Sequence, residues 1–281
     1  MIIPRSGIAD LAAVAAHYND LDELYRGIWG LDIHHGYWIT GNESSEEAVL
    51  NLTRLVGEQA LIRPGDRVCD IGCGYGAAAL TLNREYGAQV TGLTVSEKQY
   101  QRAKAAAQGI DQVKFFLCDA LSNNLAANSF DVAIAIESSE HMPDKLAFLR
   151  ESNRLLRSGG RCVVTTWLAR EQPAAWESKY LLEPICTEGR LPTMTSATEF
   201  QGMLESAGFK EVRFFDLTRS VKKTWSLCAR RVTRRIFTDA TFRRTLTDPH
   251  FTNRVFAKTV FRISLAYQTG SMRYGCFSAR K

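Results

Sequence analysis

From Arg63 onward the chain alternates short apolar runs with stretches of helical periodicity, the rhythm of strand-helix-strand units. The apolar runs are Arg67 to Ile71, Gln89 to Val95, Val113 to Cys118, Phe130 to Ile136 and Arg161 to Trp167. Between them the spacing predicts helices over Gly76 to Tyr86, Ser96 to Gln108 and Lys145 to Leu156, with Ser158-Gly159-Gly160 as the turn that stops the last of these. Strands so nearly continuous in apolar residues are buried on both faces, which predicts a mostly parallel sheet covered by helices. After Trp167 the rhythm changes: Glu171 to Leu191 reads as a helical excursion closed by Pro192, Thr198 to Ala207 as a helix ended by Gly208, Glu211 to Leu217 as a sixth strand, and Ser271 to Ala279 as the last. Ahead of the sheet, helices are expected over Ile8 to Leu24 and Ser45 to Gln59, the second capped by Ser44 or Ser45 before Glu46 and Glu47, with an aromatic, glycine-rich stretch, Tyr25 to Gly41, between them. The expectation is an α/β fold: a seven-stranded, mostly parallel sheet with an antiparallel last strand and helices on both faces. Residues 1–60 would form an N-terminal helical cap, 61–168 the ligand-binding core, and 169–281 a helical insertion plus the end of the sheet.

Composition narrows this little. At 281 residues and 45% hydrophobic content the chain can bury one large core. The apolar stretch in the first sixteen residues is interrupted by Asp10, and no apolar run approaches the roughly 18 residues needed to span a bilayer. A soluble, unexported, cytoplasmic protein is expected. Seven cysteines without a C-x-x-C pair suit reduced thiols, with Cys69, Cys118 and Cys162 acting as small buried apolar residues inside strands. The formal charge of +5 is mild, yet between Arg219 and Arg262 twelve bases face only Asp239 and Asp248. Lys222, Lys223, Arg230, Arg231, Arg234 and Arg235 recur at helical spacing, with Trp225, Leu227, Val232 and Ile236 for an apolar side. A solvated helix face, contact with an anionic membrane or lipid, and a diphosphate-bearing substrate all fit this segment; nucleic acid is disfavoured, since no RNA-binding motif accompanies it. Oligomeric state is left open.

The chemistry concentrates at Val68-Cys69-Asp70-Ile71-Gly72-Cys73-Gly74-Tyr75-Gly76, a strand running into a glycine turn and then a helix. Glycine lets the backbone turn sharply and a ligand approach it, and the helix start presents free amides. A dinucleotide site is the competitor, but the spacing Gly72-x-Gly74-x-Gly76 differs from the G-x-G-x-x-G that suits a pyrophosphate. Asp70, two residues before the first glycine, would repel a pyrophosphate and attract the ammonium of a methionyl group. These residues point to S-adenosylmethionine. The second strand should end at a residue that holds the ribose hydroxyls; Thr94 stands where Asp or Glu is usual, with Gln99 able to help. At the end of the third strand Asp119 and Ala120 are placed for adenine, although Asp119 could instead cap a turn.

The run Asp70 to Gly76, then Gly92-Leu-Thr-Val-Ser96 with Gln99, then Glu137-Ser-Ser-Glu-His-Met-Pro-Asp-Lys145, resembles the tocopherol and sterol C-methyltransferase group of class I S-adenosylmethionine-dependent methyltransferases. It is also similar to cyclopropane fatty acid synthases and to small-molecule methyltransferases of antibiotic and terpenoid pathways. Tyr25-Arg-Gly-Ile-Trp-Gly30, His34-His-Gly-Tyr-Trp38, Ile185-Cys186 with Leu191-Pro192, and Met272-Arg-Tyr-Gly275 extend the likeness over nearly the whole chain. The resemblance implies a Rossmann-like fold and a methyltransferase of secondary metabolism, with S-adenosyl-L-methionine as donor and a small-molecule acceptor.

In open α/β sheets the reacting groups gather beyond the carboxyl ends of the strands, which places Glu137, Ser138, Glu140 and His141 at the reacting edge. His141 is the first candidate for a general base and Glu137 the second; the alternative for His141 is a cap or loop brace. Tyr18, Tyr25, Trp29, Trp38 and Trp167 together suggest an aromatic wall for a hydrophobic acceptor, prenylated or terpenoid, whose π-bond attack would leave a cation that ring faces stabilise. Carbon methylation is therefore expected, with oxygen or nitrogen methylation and methylation coupled to carbocation cyclisation as rivals. His34-His35 lack the partners of a metal site, and one of them is expected to help close the lid.

Overall fold

The computed structural model describes residues 3–4, 11–28, 34–248 and 256–281. Seven strands form one sheet: β1 (Arg67–Ile71), β2 (Gln89–Thr94), β3 (Val113–Leu117), β4 (Phe130–Ile136), β5 (Leu156–Ala169), β6 (Lys210–Asp216) and β7 (Met272–Arg280), in the spatial order β3-β2-β1-β4-β5-β7-β6. Strands β1 to β5 pair in parallel, and β7 runs antiparallel between β5 and β6. The chain doubles back between β1 and β4, where Asp70 stands opposite both Gly92 and Ile134. That reversal opens a crevice at the carboxyl ends of the strands, where such sheets bind ligands.

Side-chain alternation explains the layering. Val68, Val132, Ile134 and Val163 face a layer containing α2 (Ser45–Gln59) and α3 (Ala77–Tyr86), through Leu52, Val56 and Leu82. Cys69, Ala133 and Val164 face the other layer, containing α5 (Lys145–Leu155) and α6 (Ala197–Ser206), through Phe148, Phe200 and Leu204. Helix α4 (Glu97–Ala106) follows β2, and α1 (Leu11–Ile28) packs on it. The first layer's core continues without a break into a helical cap through Leu182, Ile185, Trp225, Val232, Ile263 and Tyr267. The cap contains α7 (Lys223–Thr238), α8 (Ala240–Thr247), α9 (Phe256–Thr269) and a helical stretch over 175–188 whose middle turn, Ser178–Leu182, is wound as a π-helix.

Local chemistry sets the element ends. Ser44 caps α2, its hydroxyl accepting from Glu47 N at 3.1 Å, and Asp144 does the same for α5 with Ala147 N at 2.8 Å. Two expectations change. The Ser158-Gly159-Gly160 turn is absorbed into β5: α5 passes directly into the strand, Leu156 pairs with Phe130, and a register shift between Phe130 and Val132 takes up the extra residues. The apolar run at β3 is an edge strand, so Phe116 and Leu117 stay exposed where burial on both faces was expected. All seven cysteines are free thiols. No helix among the described residues is long and apolar enough to cross a membrane.

Candidate active site

The turn after β1 is a sharp reversal whose three glycines all lie in the left-handed region, at φ 84° (Gly72), 53° (Gly74) and 81° (Gly76). A methyl on Gly72 would sit 2.3 Å from Ser138 Cβ, and one on Gly76 2.4 Å from Phe115, so packing forbids side chains at both. Gly74 is different: nothing lies within 4 Å of a Cβ built there. The turn leaves a bare backbone edge facing open space. Leu93 O pins the turn to β2 by accepting from both Gly72 N and Cys73 N at 2.9 Å. Asp70 is 1% exposed beneath it.

A cleft of about 550 Å³ opens beside the turn, lined by Gly72, Thr94, Gln99, Asp119, Ala120, Glu137 and His141, with Val14 and Tyr18 of α1 across it. Thr94 Oγ1 donates to Gln99 Oε1 at 2.9 Å and accepts from Ser96 N, which leaves the Gln99 amide nitrogen as the polar group with donors to spare. Asp119 Oδ1 accepts from Leu121 N at 2.8 Å, so this carboxylate does shape a turn, with its other oxygen left over. Helix α1 is fastened over the cleft by groups that periodicity could not reveal. Tyr75, inside the glycine turn, donates to Asp22 Oδ1 at 2.8 Å, Arg102 pairs with Asp22 at 2.5 Å, and Ser96 Oγ meets Asn19 Oδ1 at 2.7 Å.

Beyond β4 every residue of the stretch 137–141 is held. Glu137 sits at φ 51°, a strained backbone for a carboxylate residue. Its Oε1 accepts from His35 N at 2.6 Å and Tyr274 Oη at 2.8 Å; its Oε2 accepts from His35 Nδ1 and Trp167 Nε1, both at 2.9 Å. Burial alone would raise the Glu137 pKa, but the His35 imidazole and the hydrogen bonds from its ring and main chain bring it down to about 2. An indole can only donate, so Trp225 Nε1, 2.5 Å from His35 Nε2, fixes the proton of His35 on Nδ1. Ser138 donates to Ile71 O, Ser139 Oγ meets Thr166 Oγ1 at 2.8 Å, and Glu140 accepts from Trp167 N at 2.7 Å. Burial and the charge on Glu137 push the Glu140 pKa up. Lys145 Nζ, itself buried, donates to the carbonyls of Ser139 and Glu140 at 3.0 and 3.2 Å. His141 Nε2 lies 2.7 Å from Tyr18 Oη at the cleft wall, while Nδ1 has no partner of normal geometry. Burial, with His17 adding, pushes the His141 pKa down to about 3, so the ring is neutral.

The aromatic residues expected around the acceptor are scattered. Tyr18 lines the cleft; the side chain of Tyr25 and the whole of Trp29 lie outside the described residues. Trp38 is 7% exposed, with Lys223 Nζ 4.1 Å above its ring and its Nε1 donating to Thr224 Oγ1 at 3.2 Å. It braces the cap on α7 and does not line this cleft, because the cation and hydroxyl of α7 occupy its ring face and its N–H. Trp167 gives its N–H to Glu137 and packs edge-on against His35 and Trp225. Of the paired histidines, His35 joins the N-terminal segment to the sheet edge, while His34 Nδ1 is turned to His35 O at 2.9 Å.

A methyltransferase-domain family matches residues 69–164, from within β1 to β5. The 27-O-demethylrifamycin SV methyltransferase of Amycolatopsis mediterranei is 34% identical over 218 residues, covering 76% of this chain and 79% of that one. The chain is a class I S-adenosylmethionine-dependent methyltransferase. The chloroplastic tocopherol O-methyltransferase of Arabidopsis thaliana is 31% identical to this methyltransferase over 79% of its chain and 68% of the relative's. Among solved structures, the [4+2]-cyclase SpnF matches it with a TM-score of 0.79 and 28% identity, covering 100% of this chain and 97% of that one.

The residues present suit this cofactor. The left-handed Gly74 leaves backbone open beside the turn, and the cleft next to it brings Gly72, the Gln99 amide and Asp119 together, as a nucleoside with a methionyl tail requires. The methyltransferase acts on small molecules and uses S-adenosylmethionine as its methyl donor.

Proposed function

We propose that this methyltransferase methylates a hydroxyl oxygen of a bulky, largely apolar metabolite, with His141 receiving the hydroxyl proton through Tyr18. The carrying observation is the neutral His141 ring at the cleft wall, 2.7 Å from the Tyr18 hydroxyl. S-adenosylmethionine, when bound, supplies an electrophilic methyl group. Asp70, Gly72, Gly74 and Gly76 would hold its methionyl end, the Gln99 amide with Thr94 its ribose, and Asp119 with Ala120 its adenine. Glu137 cannot readily serve as the base, since four donors occupy its oxygens; its role is a fixed negative charge in the wall of a site that handles a cation. A pKa near 3 makes His141 a weak base toward an ordinary alcohol. It is strong enough for an oxygen that has begun to accept a methyl group, because the developing oxonium is far more acidic. Alignment then supplies most of the remaining acceleration.

The expectation of a carbon acceptor leaned on an aromatic wall. Trp38 is committed to the cap and Trp167 to Glu137, while a hydroxyl and an imidazole face the cleft. The names of the rifamycin and tocopherol relatives, both O-methyltransferases, support the oxygen reading. Likeness to SpnF supports a second reading, in which the cleft guides a cyclisation. Incubation with methyl-labelled cofactor and a panel of phenolic, macrolide and terpenoid alcohols, each beside its O-blocked analogue, tests the proposal. Label on oxygen, absent from the blocked analogues, is expected. Label on carbon, or a product of unchanged mass, would overturn it.

A further inference from the structure

The cap carries two features that methyl transfer does not use. The first is exposed apolar surface: Ile39, Trp176, Tyr180, Phe237, Phe261 and Leu265 are large side chains open to solvent, and all lie in the cap. The second is unbalanced charge on α7 and α8. Several bases there have inward work: Lys223 lies over Trp38, Arg231 meets Ser45 Oγ at 2.6 Å, and Arg235 pairs with Asp239 at 2.9 Å. Arg230 and Arg234 are exposed, and neither forms an ion pair among the described residues.

Helical spacing puts these two arginines on one face with Phe237, seven residues after Arg230. Phe237 is 79% exposed in the last turn of α7, while Trp225, Cys228 and Val232 on the opposite side are buried. Arg243 folds back from α8 to donate to the carbonyls of Ile236 and Phe237 at 2.9 and 3.2 Å, so a third guanidinium flanks the ring. An aromatic tip ringed by unpaired cations matches a surface that is anionic outside and apolar a few ångströms deeper.

We propose that the outer face of α7 and its corner with α8 dock the enzyme on an anionic phospholipid bilayer, with Phe237 entering the interface and Arg230, Arg234 and Arg243 resting on lipid phosphates. A single apolar tip flanked by guanidinium groups favours a bilayer, whose phosphates lie just outside its apolar interior. Docking is independent of the acceptor assignment, because it needs no acceptor to be measured.

The test is co-sedimentation of the full chain with vesicles of phosphatidylcholine alone and of phosphatidylcholine mixed with phosphatidylglycerol. Partition to the anionic vesicles only, reversed by salt, is expected. The double variant R230Q/R234Q removes two surface charges and should weaken partition roughly thirty-fold. F237S should weaken it while keeping the salt response. Neither change touches the cleft, so cofactor affinity should be retained and serves as the check on folding. Failure to bind anionic vesicles, equal binding to neutral ones, or an unaffected double variant would each overturn the proposal. So would a single-stranded RNA oligonucleotide that binds more tightly than the vesicles and is not displaced by them.

Discussion

The two edges of the cleft are built on opposite principles. At the carboxyl ends of β1 and β2 the protein withdraws its side chains: Gly72 and Gly76 let Ser138 and Phe115 pack against the turn, and Gly74 leaves bare backbone. At the ends of β4 and β5 it crowds them, tying Glu137 to four donors and Lys145 to two carbonyls within a few residues. The first edge suits a ligand common to many enzymes, recognised largely through backbone. The second is rigid, and its rigidity comes from buried polar bonds whose partners converge from across the chain; on the proposed reading it holds a proton acceptor still beside the molecule to be methylated.

The sharpest way to break this contrast is His141→Ala, which should lower methyl transfer by roughly 10² to 10⁴ while cofactor affinity, read by calorimetry, stays near wild type. Loss of cofactor binding instead would mean that the two edges are not separable. Tyr18→Phe should follow the same pattern with a smaller loss.

Glu137→Gln comes next, and its readout is stability. The Glu137 pKa falls from an ordinary 4.5 to about 2 in the fold, so its ionised form stabilises the folded state. That stability is present in full above pH 4.5 and is lost as pH falls toward about 2, so denaturant unfolding of the wild type should weaken with acid and the variant should weaken less. Glu140 carries the opposite sign: its raised pKa favours the protonated fold, so its contribution fades as pH rises. Glu140→Gln should cost less than Glu137→Gln near neutrality and flatten the alkaline side.

On the cofactor edge, Gly74→Ala should reduce stability by only about 1–2 kcal/mol, the cost of a left-handed alanine, since no atom obstructs the new methyl. It should still weaken cofactor binding at least tenfold by filling the space a ligand needs, whereas Gly72→Ala should impair folding as well, through Ser138. The smallest effect is expected from Trp38→Phe: a modest loss of stability with unchanged transfer, because the ring braces the cap. A selective fall in acceptor turnover would return Trp38 to the acceptor wall.

The same contrast explains what could be read in the sequence. The glycine-turn edge is local: Asp70, the three glycines, Thr94, Asp119 and Ala120 lie at or just beyond strand ends that apolar periodicity locates within a residue or two, and Gln99 opens the helix after the second strand. The mostly parallel sheet with an antiparallel last strand follows from the buried character of those runs and the late break in rhythm, whereas the spatial order of the strands does not. The transfer edge is non-local. His35, Trp225 and the neighbouring pair Tyr267 and Tyr274 come from three distant stretches of the chain to one point, and no periodicity in any of them records the meeting. Glu137 was legible as a residue at the reacting edge, but its saturation by donors, which decides whether it can accept a proton, was not. The expected Ser158-Gly159-Gly160 turn failed for a related reason, since a glycine pair reads as a break unless its own strand is known to bulge against the neighbour there.

Tyr75 gives the glycine turn a second consequence. The residue between Gly74 and Gly76 reaches out to Asp22 on α1, which Arg102 also grips from α4. The glycine turn is thus bolted to α1, and neither can shift on that side without breaking the bolt. Loosening that hydroxyl or the ion pair would let the helix and the turn move apart, so one latch is shared by two elements far apart in sequence.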